Sequence, residues 1–177
     1  METNITFCYA TENDIQRIIE FYDCAIEANQ ISEYNIKWQK NIHPSHKLLR
    51  DSIANKELYV IEENHEIMGA CIMNHVYNPA YKDVPWGIDG QDTDIGVIHV
   101  FATSPNHFRK GIGKKMLEGL IDFASKKRLK AIRLDVFKTN APAIALYKKV
   151  GFEFRKEMNM TVPGVCEEIF EFYEYVL

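Results

Sequence analysis

The stretch Ile95–Thr103 (IGVIHVFAT) leaves few folds open to this chain, because it is apolar at nearly every position. An uninterrupted apolar strand is typical of the centre of a sheet that is covered on both faces. The segment Ser104–Leu117 (SPNHFRKGIGKKML) follows directly, with two glycines among basic side chains and then an apolar pattern of helical period. The sequence therefore predicts a central strand, a tight turn and a helix in succession.

Alternating and helical patterns predict further strands and helices on either side. The predicted strands are one at Ile5, Phe7 and Tyr9, then Glu57–Glu62, Glu66–Val76, Ile95–Thr103, Ala131–Phe137, Phe152–Val162 and Ile169–Val176. The predicted helices are Thr11 to about Ala28, a short one within Ile31–His43, Ser45–Asn55, one from the glycines to about Arg128, and Thr139–Val150. In a chain of 177 residues, this order predicts one α/β domain, residues 1–177, with a mixed sheet.

The glycine-rich turn Lys110–Lys114 (KGIGK) has the properties of an anion site. The first turn of a helix carries backbone N–H groups without intrahelical partners, and the helix dipole adds partial positive charge there. Glycine lets the preceding loop turn its own N–H groups inward, and it lets a phosphate approach without meeting a Cβ atom. The basic side chains of Arg109, Lys110 and Lys114 add charge for an outer phosphate.

A G-x-G sequence alone is more often a simple turn than a phosphate site, and two well-known phosphate loops do not fit this one. A Walker loop needs Ser or Thr after its lysine, and neither follows Lys114. A dinucleotide-binding loop needs a third glycine, and Met116 occupies that position.

Composition argues against several classes of protein. The net charge of −4 argues against nucleic acid as a partner, since nucleic-acid-binding domains are more often basic throughout. No apolar run approaches the roughly 20 residues of a membrane helix, so no membrane partner is expected. The first residues, METNITFCYATEND, lack the pattern of a signal peptide, which predicts a cytoplasmic protein. The four cysteines are scattered without C-x-x-C spacing, and no metal site is predicted.

The stretch from Ile95 to Phe154 resembles the GNAT superfamily of N-acetyltransferases. The resemblance rests on IHVFATSPNHFRKGIGKKML and on IRLDVFKTNAPAIALYKKVGFEF, two separate motifs that stand in family order. It implies a single domain of the α+β type, with a central mixed and splayed sheet flanked by helices on both faces. It also implies an enzyme that transfers an acetyl group from acetyl-CoA to a primary amine, by direct attack in a ternary complex, with its acetyl-CoA-binding core at about residues 95–155.

The same resemblance implies roles for individual residues. The backbone of Phe101, Ala102 and Thr103 would pair with the pantetheine arm of the cofactor, freed by a bulge that splays the central strand from its neighbour. The pyrophosphate would be bound by the backbone N–H groups of Phe108, Arg109, Lys110, Gly111, Ile112, Gly113 and Lys114. The side chain of Asn140 would contact the cofactor, and the hydroxyl of Tyr147 would protonate the departing thiolate; a core aromatic is the alternative for Tyr147.

Two positions of the turn depart from the family pattern. Phe108 and Arg109 stand where family members usually have Gln or Arg, often followed by Gly. The usual side-chain contact is therefore not expected here, whereas the backbone contacts are.

The candidate general base is His99, because it lies two residues before Phe101 and so on the same strand face. Neutral imidazole accepts a proton near pH 7, although a buried, hydrogen-bonded histidine is an equally good interpretation. Asp92 and Asp94 are secondary candidates.

The acceptor amine, whether a small molecule or a peptide, is left open by the sequence. Several acids could make the acceptor side attractive to a cation: Asp83, Asp89, Asp92, Asp94, Glu167 and Glu168. A non-catalytic acyl-CoA-binding sensor or interaction module is the alternative to an enzyme. A homodimer also remains open.

Overall fold

The structure is a computed structural model that describes residues 5–34, 37–107 and 109–177. Within them, one sheet contains the strands β1 (Thr6–Tyr9), β2 (Leu58–Glu63), β3 (Glu66–Asn74), β4 (Ile95–Thr103), β5 (Ala131–Phe137), β6 (Glu153–Val162) and β7 (Cys166–Val176). The α-helices are α1 (Ile15–Gln30), α2 (His46–Ala54), α3 (Ile112–Lys126) and α4 (Ala141–Val150). The strand order is β1-β2-β3-β4-β5-β7-β6, antiparallel throughout except between β4 and β5. The strand predicted to be central is therefore central.

The helices cover both faces of the sheet, as the period-2 alternation of the strands requires. On β2, Leu58 and Val60 pack in the core with α1 and α2, whereas Tyr59 and Ile61 face the opposite way and pack with α3. The face that carries α1 and α2 also carries the β3–β4 loop (residues 75–94), which packs over the half of the sheet formed by β4, β5, β6 and β7.

The predicted fold class is confirmed, and the bounds of β4 and β5 coincide with those predicted. One prediction is wrong: the described residues between Ile31 and His43 form turns and an isolated bridge, with no helix; Asn35 and Ile36 lie outside the described residues. No helix in the described part of the chain is long and apolar enough to cross a bilayer.

The two parallel strands separate along their length. β4 and β5 pair only at Ile95–Ala131, Gly96–Ile132 and Val97–Arg133, while β5 stays paired with β7 from end to end. Beyond Val97, the side of β4 that faces β5 has no strand partner in the described structure. The sheet is therefore splayed at its centre, as the resemblance implied.

A bulge in β4 accompanies this separation. Ala102 lies opposite Ala70, and His99 lies opposite Ile72, so β4 advances three residues while β3 advances two. The backbone of Val100 has a φ of 45°, a conformation that β-branched residues rarely adopt. An extra residue with such a backbone bends a strand, which turns β4 away from β5.

Candidate active site

The N-terminus of α3 forms an open corner after β4. Gly111 is the N-cap residue, with a φ of 76° and a ψ of 12°, and a Cβ atom added there would have no other heavy atom within 4 Å. Glycine adopts this left-handed conformation without the penalty that other residues incur. The space beside Gly111 is therefore open at the N-terminus of α3, where the helix dipole favours an anion, and this fits the phosphates of a coenzyme.

Gly113, two residues after Gly111, has a different role. A Cβ atom on Gly113 would lie 2.7 Å from Cδ2 of Leu146, which is closer than real Cβ contacts. Its absence lets the start of α3 pack against α4 and the end of β4. Of the two glycines, Gly111 supplies the backbone conformation and Gly113 supplies the close packing.

Tyr22, on α1, holds the bulge in place. Its hydroxyl is buried and donates a hydrogen bond of 2.8 Å to the carbonyl oxygen of Val100. Tyr22 lies within the helix predicted from Thr11 to about Ala28, but the sequence gives no sign of this partner, which lies 78 positions away. The hydrogen bond satisfies a backbone group that the irregular strand would otherwise leave buried without a partner.

A cavity of about 190 Å³ occupies the gap between β4 and β5. Its lining from the side of α4 includes Asn140 and Tyr147. From the opposite side it is lined by side chains of the α1–α2 connection and of the β6–β7 hairpin, including Trp38, His43, Met160, Val162, Val165 and Phe170. The gap between the strands therefore connects the two faces of the sheet, so that molecules bound on opposite faces can meet inside it.

Tyr147 lies in this cavity with 5% of its surface exposed. Its ring packs edge-on against the ring of Phe101, with the ring centroids 6.0 Å apart. Burial raises the pKa of the Tyr147 phenol, and the nearby charge of Asp135 raises it further. The phenol therefore keeps its proton at neutral pH and is available as a hydrogen-bond donor to a bound molecule.

Asn140 caps the N-terminus of α4. Its Oδ1 accepts a hydrogen bond of 3.3 Å from the backbone N–H of Ala143. The amide NH₂ takes no part in this cap, so Asn140 can direct it toward a bound molecule.

Asp135, on β5, is a cavity residue that the sequence analysis missed. Its Oδ1 accepts a hydrogen bond of 2.7 Å from the hydroxyl of Tyr81 in the β3–β4 loop. Burial raises the pKa of Asp135 to about 6, and the bond from Tyr81 acts in the opposite direction. The signal in the sequence was the alternation of Arg133 and Asp135 with apolar residues in a strand that is otherwise apolar.

A buried ion pair fixes the loop that carries Tyr81. Glu174 is fully buried and accepts hydrogen bonds from Nε of Arg133 at 3.0 Å and from the backbone N–H of Gly87 at 2.7 Å. The guanidinium of Arg133 also stacks over the ring of Trp86, 4.3 Å from its centroid. Trp86 in turn donates a hydrogen bond of 2.8 Å to the carbonyl of Tyr81. The loop is thus tied to the sheet shortly after Tyr81, whose hydroxyl contacts Asp135.

His99, the predicted base, lines the cavity, but its ring is engaged. Its Nε2 lies 2.8 Å from the carbonyl oxygen of Val76, an acceptor, so the hydrogen-bond network assigns the ring proton to Nε2 and leaves Nδ1 as the acceptor. Burial is the main reason that the pKa of His99 is lowered, to about 4. The imidazole is neutral at pH 7 but takes up a proton with difficulty.

The prediction that His99 and Phe101 share a face is wrong. The bulge at Val100 interrupts the alternation: Phe101 packs with the core of α3 and α4, whereas Val100 packs with that of α1 and α2. Ile98, which precedes His99, also packs with the core of α3 and α4, so His99 lies on the face of α1 and α2. Strand alternation holds only while the pairing is regular, and here it is not.

The other predicted residues lie in two groups. Phe101, Ala102 and Thr103 follow the bulge, on the part of β4 that is not paired with β5. At the corner are Arg109, Lys110, Gly111, Ile112, Gly113 and Lys114, while Phe108 lies outside the described residues. Among the described residues, no three His, Cys, Asp or Glu side chains are arranged to hold a metal ion.

The secondary candidates for the base do not lie in the cavity. Asp92 accepts a hydrogen bond of 2.7 Å from the hydroxyl of Tyr77, and Asp94 accepts one of 2.7 Å from Lys130. Both acids are engaged at the start of β4, away from the bulge.

Comparison with known proteins gives one family. The profile of the Acetyltransferase (GNAT) family matches residues 16–152 of this chain. Among curated proteins, the chain is 39% identical over 59 residues to the [ribosomal protein bS18]-alanine N-acetyltransferase of Escherichia coli, a match that covers 33% of this chain and 40% of that enzyme. The chain thus aligns with less than half of the length of that relative.

Solved structures resemble the chain over its whole length. An acetyltransferase of the GNAT family from Streptococcus agalactiae superposes with a TM-score of 0.77 at 17% identity, covering 100% of this chain and 98% of that one. An acetyltransferase from Salmonella typhimurium, solved with its cofactor acetyl-CoA, superposes with a TM-score of 0.67 at 21% identity, covering 99% and 95%. At sequence identities of 17% and 21%, the similarity shows a shared fold and no more than that.

Proposed function

This chain belongs to the GNAT family of acetyltransferases, and we propose that it transfers the acetyl group of acetyl-CoA to a primary amine. The amine attacks directly, within a ternary complex. The observation that carries this proposal is the cavity between β4 and β5, which brings a phenol, a carboxylate and an imidazole to the gap between the two strands. The cytoplasm is the proposed compartment, on the sequence evidence alone.

The corner and the unpaired part of β4 form the proposed cofactor site. Backbone N–H groups from Phe108 to Lys114 bind the pyrophosphate, and the open space beside Gly111 supports this assignment. The backbone of Phe101–Thr103 pairs with the pantetheine arm, and the amide NH₂ of Asn140 contacts the cofactor. When bound, acetyl-CoA supplies an activated acetyl thioester.

Acetyl transfer to an amine makes three demands on the protein. The amine must lose a proton, the oxyanion that develops on the acetyl group needs a hydrogen-bond donor, and the departing thiolate needs a proton. In the proposed mechanism, a backbone N–H near Phe101 faces the oxyanion and the hydroxyl of Tyr147 serves the thiolate. Holding both reactants in one cavity lowers the barrier further.

Asp135 is the base that we favour over His99. A carboxyl group with a pKa of about 6 is ionised at neutral pH and still accepts a proton readily. An imidazole with a pKa of about 4 is a much weaker proton acceptor, and its Nε2 is already committed to Val76. His99 remains the alternative, and substitutions of the two residues separate them.

The test of the proposed function is thiol release from acetyl-CoA. Purified protein is mixed with acetyl-CoA and a panel of primary amines, and free coenzyme A is detected with a thiol reagent. We expect release that depends on both the protein and an amine. Tight binding of coenzyme A without release for any amine would instead support the non-catalytic acyl-CoA-binding module.

Gly111→Val should weaken coenzyme A binding by at least about 10-fold, because a Cβ atom both strains the left-handed backbone and fills the space proposed for a phosphate. The matched control is Gly164→Val. Gly164 has a φ of 74° and equally open surroundings, but it lies in the β6–β7 hairpin. Calorimetric titration with coenzyme A compares the two variants. Equal affinities in Gly111→Val and Gly164→Val would mean that the phosphates bind at another place. Gly113→Val is not suitable, since its Cβ would collide with Leu146.

Tyr81→Phe should move the acid limb of the profile of kcat/KM against pH to higher pH, by roughly 0.5–1 unit. Activity needs the ionised carboxylate of Asp135 and is lost as the pH falls through its pKa. The hydroxyl of Tyr81 favours the ionised form, so its removal raises that pKa. Tyr77 lies in the same loop, but its hydroxyl donates to Asp92 and not to Asp135. Tyr77→Phe should therefore leave the acid limb of the pH profile in place. An unmoved limb in Tyr81→Phe would argue that another group titrates.

A further inference from the structure

The side of the cavity opposite α4 and Tyr147, which we name the acceptor side, has walls of apolar side chains and of polar side chains without charge, among them Asn78. It is bounded by Trp38 and His43 from the α1–α2 connection and by Met160, Val162, Val165 and Phe170 from the β6–β7 hairpin. The rings of Trp38 and His43 are 5.8 Å apart, and Phe170 packs on Phe137 at 4.4 Å. Burial lowers the pKa of His43, so its ring adds no positive charge at neutral pH.

One negative charge faces this space. Among the described residues that line the cavity, Asp135 is the one with a carboxylate. The six acids predicted to attract a cationic acceptor do not line it; they are Asp83, Asp89, Asp92, Asp94, Glu167 and Glu168. Of these six, Glu168 is on the same face of β7 as Phe170, which lines the cavity, but the side chain of Glu168 is exposed.

Glu168 and Lys37 both act on Cys166, at the start of β7, and with opposite sign. Asp135 can match one ammonium group, whereas a second one inside the cavity would have no carboxylate beside it. An ammonium group in that position is strongly disfavoured.

The volume limits what can accompany the amino group. A dry cavity of roughly 150 Å³ takes up one benzene molecule. At about 190 Å³, this cavity has room for the acetyl group and for an apolar body of about the size of one ring.

From these observations we infer that the acceptor is a primary monoamine whose amino group is joined by a short link to one compact apolar group. The inference rests on the proposed function and specifies its substrate class. Asp135 receives the ammonium group, and the walls formed by Trp38, Val165 and Phe170 receive the apolar group. Both a free amine and the N-terminal residue of a peptide can carry this chemistry.

A matched pair of probes tests the charge argument. Hexylamine and 1,6-diaminohexane have the same chain, and they differ in whether the far end is apolar or cationic. We expect kcat/KM to be at least about 10-fold higher for hexylamine, and 2-phenylethylamine to be acetylated at least as well as hexylamine. A kcat/KM for 1,6-diaminohexane or spermidine that equals or exceeds that of hexylamine overturns the inference while leaving acetyl transfer intact.

Binding without turnover keeps the inference testable if no probe is acetylated. The two probes are titrated by calorimetry into protein saturated with coenzyme A, and tighter binding of hexylamine is expected. Equal or tighter binding of 1,6-diaminohexane overturns the inference independently of catalysis. A further experiment compares the binding of 2-phenylethylamine with that of the dipeptide amide Phe-Ala-NH₂. Tighter binding of the first indicates a free amine as the acceptor, and tighter binding of the second indicates the N-terminus of a peptide.

Val165→Asp tests the walls directly, because Val165 is half-buried in a turn and tolerates a polar side chain there. The ratio tested is kcat/KM for 1,6-diaminohexane divided by kcat/KM for hexylamine. A second carboxylate should raise this ratio by at least about 10-fold, and it should raise the corresponding ratio of association constants by a similar factor. Val165→Asn has the same shape as Val165→Asp without the charge, and it should change the ratio much less than Val165→Asp does. A ratio in Val165→Asp equal to that in Val165→Asn contradicts the proposed position of the acceptor.

Discussion

Asp135→Asn should lower kcat/KM for amine acetylation by about 100- to 1,000-fold, because general-base catalysis contributes factors of roughly 10² to 10⁴. Asparagine keeps the size of the side chain and can still bond to Tyr81, but it cannot accept a proton from the amine. The affinity for coenzyme A should stay within about twofold, since Asp135 lines the cavity and not the corner at Gly111. Initial rates over a range of amine concentrations, with calorimetry for coenzyme A, give both quantities.

Thermal unfolding supplies the control for Asp135→Asn. The pKa of Asp135 is raised from 3.8 to about 6, so ionisation of this buried group lowers the stability of the native protein above about pH 6. This cost is absent below about pH 4, where the carboxyl group is protonated in the folded and unfolded states. The variant should therefore be more stable than the parent at pH 8, and the difference should disappear toward pH 4. If Asp135→Asn is folded and fully active, Asp135 is not the base. His99 would then be the base, and His99→Gln should show the large loss in kcat/KM.

Tyr147→Phe should lower kcat by about 100-fold and leave the affinity for coenzyme A nearly unchanged. The ring keeps its contacts with Phe101 and Phe152, so the substitution removes only the proton donor proposed for the thiolate. Such a pattern, a loss in kcat without a loss in binding, is that of an interaction made in the transition state.

The matched control is Tyr173→Phe. Tyr173 belongs to the same aromatic cluster as Tyr147, but its hydroxyl donates to Glu171. We expect this variant to keep its kcat. Similar losses in both variants would indicate that the phenols act through packing, and an unchanged kcat in Tyr147→Phe would remove the assignment of that residue as the acid.

The parts of the fold that were predictable are those fixed by local pattern. The nearly continuous apolar run Ile95–Thr103 predicted the central strand with its true bounds, and the glycines predicted the corner at the start of α3. The helix predicted over Thr139–Val150 is α4, which runs from Ala141 to Val150. Each of these depends on residues within one element and its immediate neighbours.

The parts that were not predictable depend on contacts between distant residues. The pKa of Asp135 follows from its burial and from Tyr81, 54 positions away, and the bulge at Val100 is held by Tyr22. That bulge alone reverses the predicted relation between His99 and Phe101. Counting acids along the sequence likewise failed to identify the one that faces the cavity, since exposure and pairing decide which charges act there.

A crystal structure with coenzyme A tests the central claim, that the corner at Gly111 grips a pyrophosphate and directs a thioester into the gap between β4 and β5. The pyrophosphate should lie against the N–H groups at the start of α3, and the sulfur should lie in the cavity near the hydroxyl of Tyr147. Clear density for coenzyme A on another surface, or an empty corner at saturating ligand, would contradict the account.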